Sequence, residues 1–226
     1  MSNFYMAITF LALPYYIWRT KRILKKQDDE LAYKESKKWG DDFLGVRGKK
    51  IINRNEENYI NLDQCVFVSN HQSHNDIFIL LKAIDRPIRF IAKKELFTSK
   101  IFRHFMKLSK SYPLDREDPR ESMKVLKEVV NDLNTSNANV AVFPEGTRSR
   151  GRDMLEFKAG LFSMLSRTEV PIIPTYIHNS YNSNLKTYIV SYGEPIYPKG
   201  MKGQALCDLA KDRIQTMQND LEKSGS

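Results

Sequence analysis

The sequence predicts a single α/β domain, a mostly parallel sheet flanked by helices, with a membrane-associating helical segment at its N-terminus. Three observations lead there. Short apolar runs bounded by turn residues recur along the chain, as strands buried on both faces require. Between them lie stretches whose apolar residues keep helical spacing, and such alternation places strands side by side and parallel, with sites at their ends. The third is size: 226 residues, 41% of them hydrophobic, suffice for one sizeable core.

The elements follow in chain order. Phe4 to Trp18 (FYMAITFLALPYYIW) carries no charge, and Arg19, Lys21, Arg22, Lys25 and Lys26 come directly after it. A spanning helix needs about 17 to 25 apolar residues; this stretch is shorter, and Pro14 interrupts it. A secretory signal would carry its positive charge first and a small-residue cleavage site last, and neither is present. The pattern fits an interfacial or re-entrant anchor, with Tyr15, Tyr16 and Trp18 at headgroup depth and the basic run on anionic lipid. An apolar first helix packed on the domain is the alternative. Residues 27–42 are strongly charged and read as a helix or linker, so the expected division is an anchoring segment and linker over 1–42 and an α/β domain over 43–226.

Within that domain Cys65 to Val68 (CVFV) reads as a buried strand, followed by a helix from Asn75 to Ile84. Ile88 to Ala92 is the next strand, and Glu95 to Leu108 a helical pattern. Met123, Leu126, Val129, Val130 and Leu133 keep helical spacing behind Pro119. Asn139 to Phe143, Val170 to Ile177 and Thr187 to Tyr192 read as strands, and Leu206 to Leu221 as a final amphipathic helix.

Charge and cysteine usage limit the function classes. Lys and Arg number 36 against 27 Asp and Glu, a formal charge of +9. That surplus suits a polyanion, whether nucleic acid, an anionic bilayer or a phosphorylated substrate. No RNP-like motif, zinc-ligand spacing or helix-turn-helix signal accompanies it, which disfavours nucleic acid. Cys65 and Cys207 lie far apart, so neither a disulfide framework nor a structural zinc site is expected. Cys65, in a buried strand, reads as a core thiol rather than a nucleophile.

Two constellations carry chemistry, each directly after a strand. The first is Asn70-His71-Gln72-Ser73-His74-Asn75-Asp76. Making a hydroxyl nucleophilic near neutral pH needs a base to take its proton, and histidine serves when a carboxylate orients it. With a turn between them, His71 at a strand end and Asp76 in the first helical turn come within reach, as a triad without its serine, the substrate supplying the hydroxyl. Other readings remain: His71, His74 and Asp76 as metal ligands, or a polar loop with Asn75 or Asp76 capping a helix. The second is Phe143-Pro144-Glu145-Gly146-Thr147-Arg148-Ser149. Gly146 allows close backbone approach, Thr147 and Ser149 offer hydroxyls, and Arg148 can grip two phosphate oxygens. Glu145 would accept a hydrogen bond from a polyol hydroxyl or hold Arg148 in place. An ordinary basic surface turn is the plain alternative.

Taken together, these motifs resemble the glycerolipid acyltransferase family, most closely its 1-acylglycerol-3-phosphate acyltransferases. NHQSHND resembles the first family motif and FPEGTRS the third. Lys93-Lys94 with Leu96 resembles the start of the second and Leu114-Asp115-Arg116 its end; Val170-Pro171-Ile172-Ile173-Pro174 resembles the fourth. The resemblance covers roughly residues 65–177. It departs where the second motif carries glycines: Arg103 and Ser109 or Lys110 stand there. The resemblance implies acyl transfer from acyl-ACP or acyl-CoA to the hydroxyl of lysophosphatidate, giving phosphatidate, on the cytoplasmic face of a bacterial membrane. Glycerol-3-phosphate or another lysolipid is the alternative acceptor, and a non-catalytic anionic-lipid module the alternative of another class. Implied roles are general base for His71, orienting group for Asp76 and phosphate binding for Arg116 and Arg148. Gly146 and Thr147 would shape that pocket, Glu145 would meet a hydroxyl, and Lys93 and Lys94 would assist binding. No metal and no organic cofactor is implied.

Overall fold

The structure, a computed structural model, describes residues 2–100 and 102–224, with side chains described from Leu13 onward. The expected membrane contacts of residues 4–12 therefore lie outside the described side chains. Helix α1 (Ser2–Lys26) runs on through Pro14, and α2 (Asp29–Gly45) follows, opened by Asp28, whose carboxylate accepts from Leu31 N–H at 2.9 Å. Then come β1 (Lys50–Arg54), α3 (Glu57–Ile60), β2 (Val66–Ser69), α4 (Asp76–Ala83) and β3 (Ile88–Lys93). The helical pattern expected over 95–108 is two short helices, α5 (Glu95–Thr98) and α6 (Arg103–Leu108). The chain continues through β4 (Tyr112–Leu114), α7 (Pro119–Thr135), β5 (Asn139–Val142), α8 (Ala159–Leu165), β6 (Ile172–His178), β7 (Thr187–Tyr192) and α9 (Gly203–Lys223). No helix among the described residues is long and apolar enough to cross a membrane.

The seven strands form one sheet in the order β1-β7-β6-β2-β5-β3-β4. All neighbours are parallel except β6 and β7, so the mostly parallel α/β sheet read from the sequence is present. Every residue of β2, β5 and β6 is buried, which is why these segments are runs of apolar residues rather than alternations. Side-chain alternation divides the core in two. Phe67, Ala141 and Ile173 face one side, with α2, α4 and α6; Val66, Val68, Val140 and Val142 face the other, with α7, α8 and α9.

The second half of α1 is tied to α2 rather than left free. The Tyr16 ring meets Trp39 at 5.2 Å in an edge contact, its hydroxyl donates to Asp42, and Arg19 pairs with buried Glu35 at 2.7 Å. The α2 helix in turn buries Trp39 and Leu44 in the first core, so the charged stretch 27–42 carries one apolar stripe.

The missing family glycine has a local answer. After α6, Ser111 N–H donates to Met106 C=O at 3.0 Å and Lys110 N–H to Lys107 C=O at 3.2 Å. This double bond pattern ends a helix around a left-handed residue, normally glycine, and Lys110 occupies that position at φ +50°. The backbone course is thus kept without the glycine, at a cost of about 1 kcal/mol in conformational strain. Lys110→Gly is expected to raise the melting temperature by roughly 2–4 °C, even though it removes the exposed Lys110–Asp29 pair. A lowered melting temperature would show that the ion pair outweighs the strain.

Candidate active site

Strands β2 and β5 lie side by side in the middle of the sheet. After β2 the chain enters α4 on the first face; after β5 it reaches α8 on the second. Loops that part to opposite faces open a crevice above the strand ends, the usual place for a site in such sheets. The first motif forms one wall and the second the other.

His71 stands two residues beyond β2 and Asp76 opens α4. The intervening residues are not helical, so the carboxylate turns back over them. His71 Nδ1–H donates to Asp76 Oδ2 at 2.8 Å, and Gln72 N–H and Ser73 N–H donate to the same oxygen at 2.7 and 2.9 Å. The Ser180 hydroxyl donates to Oδ1. Asp76 is fully buried, and four donors together with the start of α4 offset the loss of hydration. Asn75 takes the N-cap place with no side-chain capping bond, so neither residue of the expected cap works as one.

The His71 ring lies on Phe143, with centroids 4.2 Å apart and planes at 19°. Its backbone is held as well: Glu145 Oε1 accepts from His71 N–H at 2.6 Å, and His71 C=O accepts from Ser149 N–H at 2.8 Å. Nδ1 is thus committed to Asp76, and Nε2 is left for a substrate.

Glu145 departs from the sequence expectation. It is buried, 4% exposed, and its second oxygen accepts from Leu155 N–H at 2.9 Å. Its carboxylate therefore ties the two motif loops together instead of meeting a ligand hydroxyl, and it makes no hydrogen bond to Arg148. Burial pushes its pKa up to about 7, assisted by Asp76 and opposed by the Leu155 and His71 amides and by Lys211. Gly146 has φ +70°, and a Cβ there would lie 2.8 Å from Cε of Lys158, so what approaches this glycine is the Lys158 side chain.

Thr147 is exposed and Arg148 half-buried at the crevice. The Arg148 guanidinium donates to Nε2 of His74. Burial, then the charges of Arg148, His71 and Arg150, hold the His74 pKa below its ordinary value, against a smaller pull from Asp76. A neutral ring facing a guanidinium is a support for that arginine. Next along the same sheet edge come the ends of β3 and β4, carrying Lys93, Lys94 and Arg116. Lys93 is 3.1 Å from Glu95, and Lys94 pairs with Asp115. Surrounding protein and, after the opposing effect of Glu95, the nearby Arg148 charge lower the pKa of Arg116. Arg116 and Arg148 therefore share one region of the edge, while both lysines already hold carboxylates.

Four contributors escaped sequence reasoning. Asn70 donates to Ile177 C=O at 3.0 Å and accepts from Ile177 N–H at 2.8 Å; Gln72 accepts from Ser180 N–H at 2.9 Å; Ser180 and Phe143 complete the group. The signal for the first two was a polar pair directly after an apolar strand, where buried amides must find partners. Ser180 has no comparable local signal, because it acts across more than a hundred residues of chain.

A family model described as acyltransferase matches residues 50–178. The chain is 34% identical over 164 residues to a chloroplastic 1-acyl-sn-glycerol-3-phosphate acyltransferase, BAT2, of Brassica napus, covering 69% of this chain and 46% of that protein. It is 30% identical over 135 residues to the 1-acyl-sn-glycerol-3-phosphate acyltransferase of Salmonella typhimurium, covering 60% of this chain and 55% of that one. The chain thus spans about half the length of these curated relatives. Its fold matches the crystal structure of the 1-acyl-sn-glycerophosphate acyltransferase PlsC from Thermotoga maritima, with a TM-score of 0.78 at 22% identity, over 97% of this chain and 94% of that one.

The Glu145 clasp has a pH signature. Its folded pKa of about 7 lies above the ordinary 4.5, so the stability it contributes is full below about 4.5 and is lost as pH rises to about 7. Glu145→Gln keeps one acceptor but turns an amide NH2 toward the other backbone N–H, so it should destabilise by about 1–3 kcal/mol. The deficit against the parent protein should be larger at pH 5 than at pH 8 in thermal melts. A deficit that grows toward pH 8 would mean that the carboxylate is ionised in the fold.

Proposed function

The chain belongs to the acyltransferase family, and from that premise we propose that it moves a fatty acyl group from an acyl thioester to the free hydroxyl of 1-acylglycerol-3-phosphate, giving phosphatidate. The observation that carries this is the His71–Asp76 pair, held at 2.8 Å beyond the end of β2 with Nδ1 committed to the carboxylate. Nε2 takes the proton of the acceptor hydroxyl as its oxygen attacks the thioester carbonyl. Asp76 stabilises the imidazolium that forms. The tetrahedral intermediate then expels the thiolate, which receives the proton from the imidazolium.

Arg148 and Arg116 hold the acceptor phosphate in this reading, with Thr147 at the rim. His74 keeps the Arg148 fork turned, and Lys93 and Lys94 add positive field after exchanging their carboxylate partners for the ligand. The donor is acyl carrier protein or coenzyme A. The acceptor's acyl chain brings the enzyme to a bilayer, and we place it peripherally on the cytoplasmic face of the membrane through α1. Support comes from how α1 divides: Tyr16, Thr20 and Ile23 face inward, while Tyr15, Trp18, Lys21, Arg22 and Lys25 form one exposed stripe. Aromatic residues beside basic ones suit the headgroup layer.

His71→Ala should lower turnover by about 10²–10⁴-fold, and should also lower the melting temperature, because buried Asp76 loses one of its four donors. Asp76→Asn should lower both turnover and stability, since an amide NH2 would oppose one of the present donors. Thiol release with an acyl thioester and lysophosphatidate measures the first effect, and near-normal activity of His71→Ala would refute the mechanism. Arg148→Lys should raise the KM of the phosphorylated acceptor and leave that of the thioester nearly unchanged, because an ammonium cannot replace a bidentate fork. The opposite pattern would move Arg148 to the donor site.

A further inference from the structure

Away from the strand-end crevice, α1 and α6 enclose a cleft of about 420 Å³ lined by Trp18, Lys21, Arg22, Lys25, His104 and Lys107. It shares no lining residue with the site above. Its composition is one-sided, with four cations and no carboxylate on its walls. None of those cations joins an ion pair among the described residues, although many other lysines and arginines do, among them Lys37 with Asp85, Lys82 with Asp41 and Lys110 with Asp29.

His104 reports the same field from inside. It is nearly buried, and Arg103 Nε–H donates to its Nε2 at 3.3 Å. Burial first, then the charges of Arg103, Lys21 and Lys107, push its pKa down, and no acid counters them. At the mouth the Arg22 guanidinium stands 4.9 Å from the centre of the Trp18 ring, and Trp18 is 53% exposed. Two helices therefore hold like charges around one space with no carboxylate paired to them among the described residues, an arrangement whose repulsion an anion relieves.

We propose that the α1–α6 cleft binds a phosphate group, that of an anionic phospholipid headgroup, apart from the acceptor phosphate assigned to Arg148 and Arg116. Phosphate is the fitting anion because its oxygens take several N–H donors at once and two helices offer them from different directions. A lipid is the fitting source because the basic residues follow directly on the uncharged run Phe4 to Trp18, where a nucleic acid would need a longer basic track. Only the lipid source rests on the membrane association proposed above; the cleft itself does not. Bound there, a headgroup would pin α1 to α6 and fix how the domain meets the bilayer.

The test compares two variants that each remove one charge: Lys107→Gln on the cleft wall and Lys26→Gln on α1 outside it, both exposed positions. Co-sedimentation of the full chain uses phosphatidylcholine vesicles with and without phosphatidylglycerol. Phosphatidylglycerol should strengthen binding of the parent protein. Lys107→Gln should weaken that binding about 10-fold and Lys26→Gln no more than about 3-fold, whereas a diffuse surface charge would make the two losses equal. Equal losses, or no preference for the anionic vesicles, overturn the proposal. If the parent protein binds no vesicle, the membrane reading fails and the lipid source with it. Calorimetric titration with inorganic phosphate, in an Arg148→Ala background that silences the acceptor pocket, then decides the cleft. Binding abolished by Lys107→Gln supports a phosphate site with a soluble source, and no binding overturns it. Displacement from vesicles by a single-stranded oligonucleotide whose affinity also falls in Lys107→Gln would overturn the lipid assignment.

Discussion

One buried carboxylate organises the candidate site. Asp76 has no exposed surface and collects four donors from two parts of the chain: the His71 ring with the adjoining Gln72 and Ser73 amides, and the distant Ser180 hydroxyl. A lone ionised carboxylate in such a place would cost several kcal/mol, so the surrounding loop takes the one shape that supplies its partners. That shape turns the histidine ring. The imidazole is aimed because the carboxylate needs its donor, and the carboxylate stays in place because the backbone of the following turn closes on it.

The second motif is locked to the first through main chain rather than through the side chains that read as functional. Glu145 accepts the His71 N–H and Ser149 N–H reaches the His71 carbonyl, so the β2 and β5 loops form one unit. With Phe143 stacked on the ring, every freedom of His71 except access to Nε2 is removed. Preorganisation of this kind makes a single histidine useful as a base, since the reaction then spends little energy arranging it. Arg148, on the same loop, inherits its placement from that lock and its orientation from His74.

The basic surplus is distributed unevenly. Some lysines and arginines are held in ion pairs on exposed surface, which contribute little to stability. Among the described cations in no ion pair, two groups stand close together: Arg116 with Arg148 at the strand-end edge, and Lys21, Arg22, Lys25 and Lys107 at the α1–α6 cleft. The two are reached differently. The first depends on parallel strands bringing loop ends together, the second on α1 folding back along the domain through Tyr16, Arg19 and Ile23.

Much of this was written locally and could be read without coordinates. Apolar runs such as Cys65 to Val68 and Asn139 to Phe143 had to be strands buried on both sides, and helical spacing behind Pro119 had to be a helix, because periodicity and burial are properties of neighbouring residues. The pairing of His71 with Asp76 was legible for the same reason, being a turn and a first helical turn within one motif. What lay beyond reach came from contacts between distant segments. Ser180 and Gln72 needed the β2–β6 neighbourhood, and β1 and β4 were invisible as strands because an edge strand has one partner and a weak pattern. Glu145 read as a hydroxyl acceptor or a partner of Arg148 because it stands in a basic turn with Thr147 and Arg148, where a carboxylate would repel a phosphate. Only the tertiary fold decided that its side chain turns inward, where two unpaired amides from different loops required an acceptor and the carboxylate was the group that could reach both.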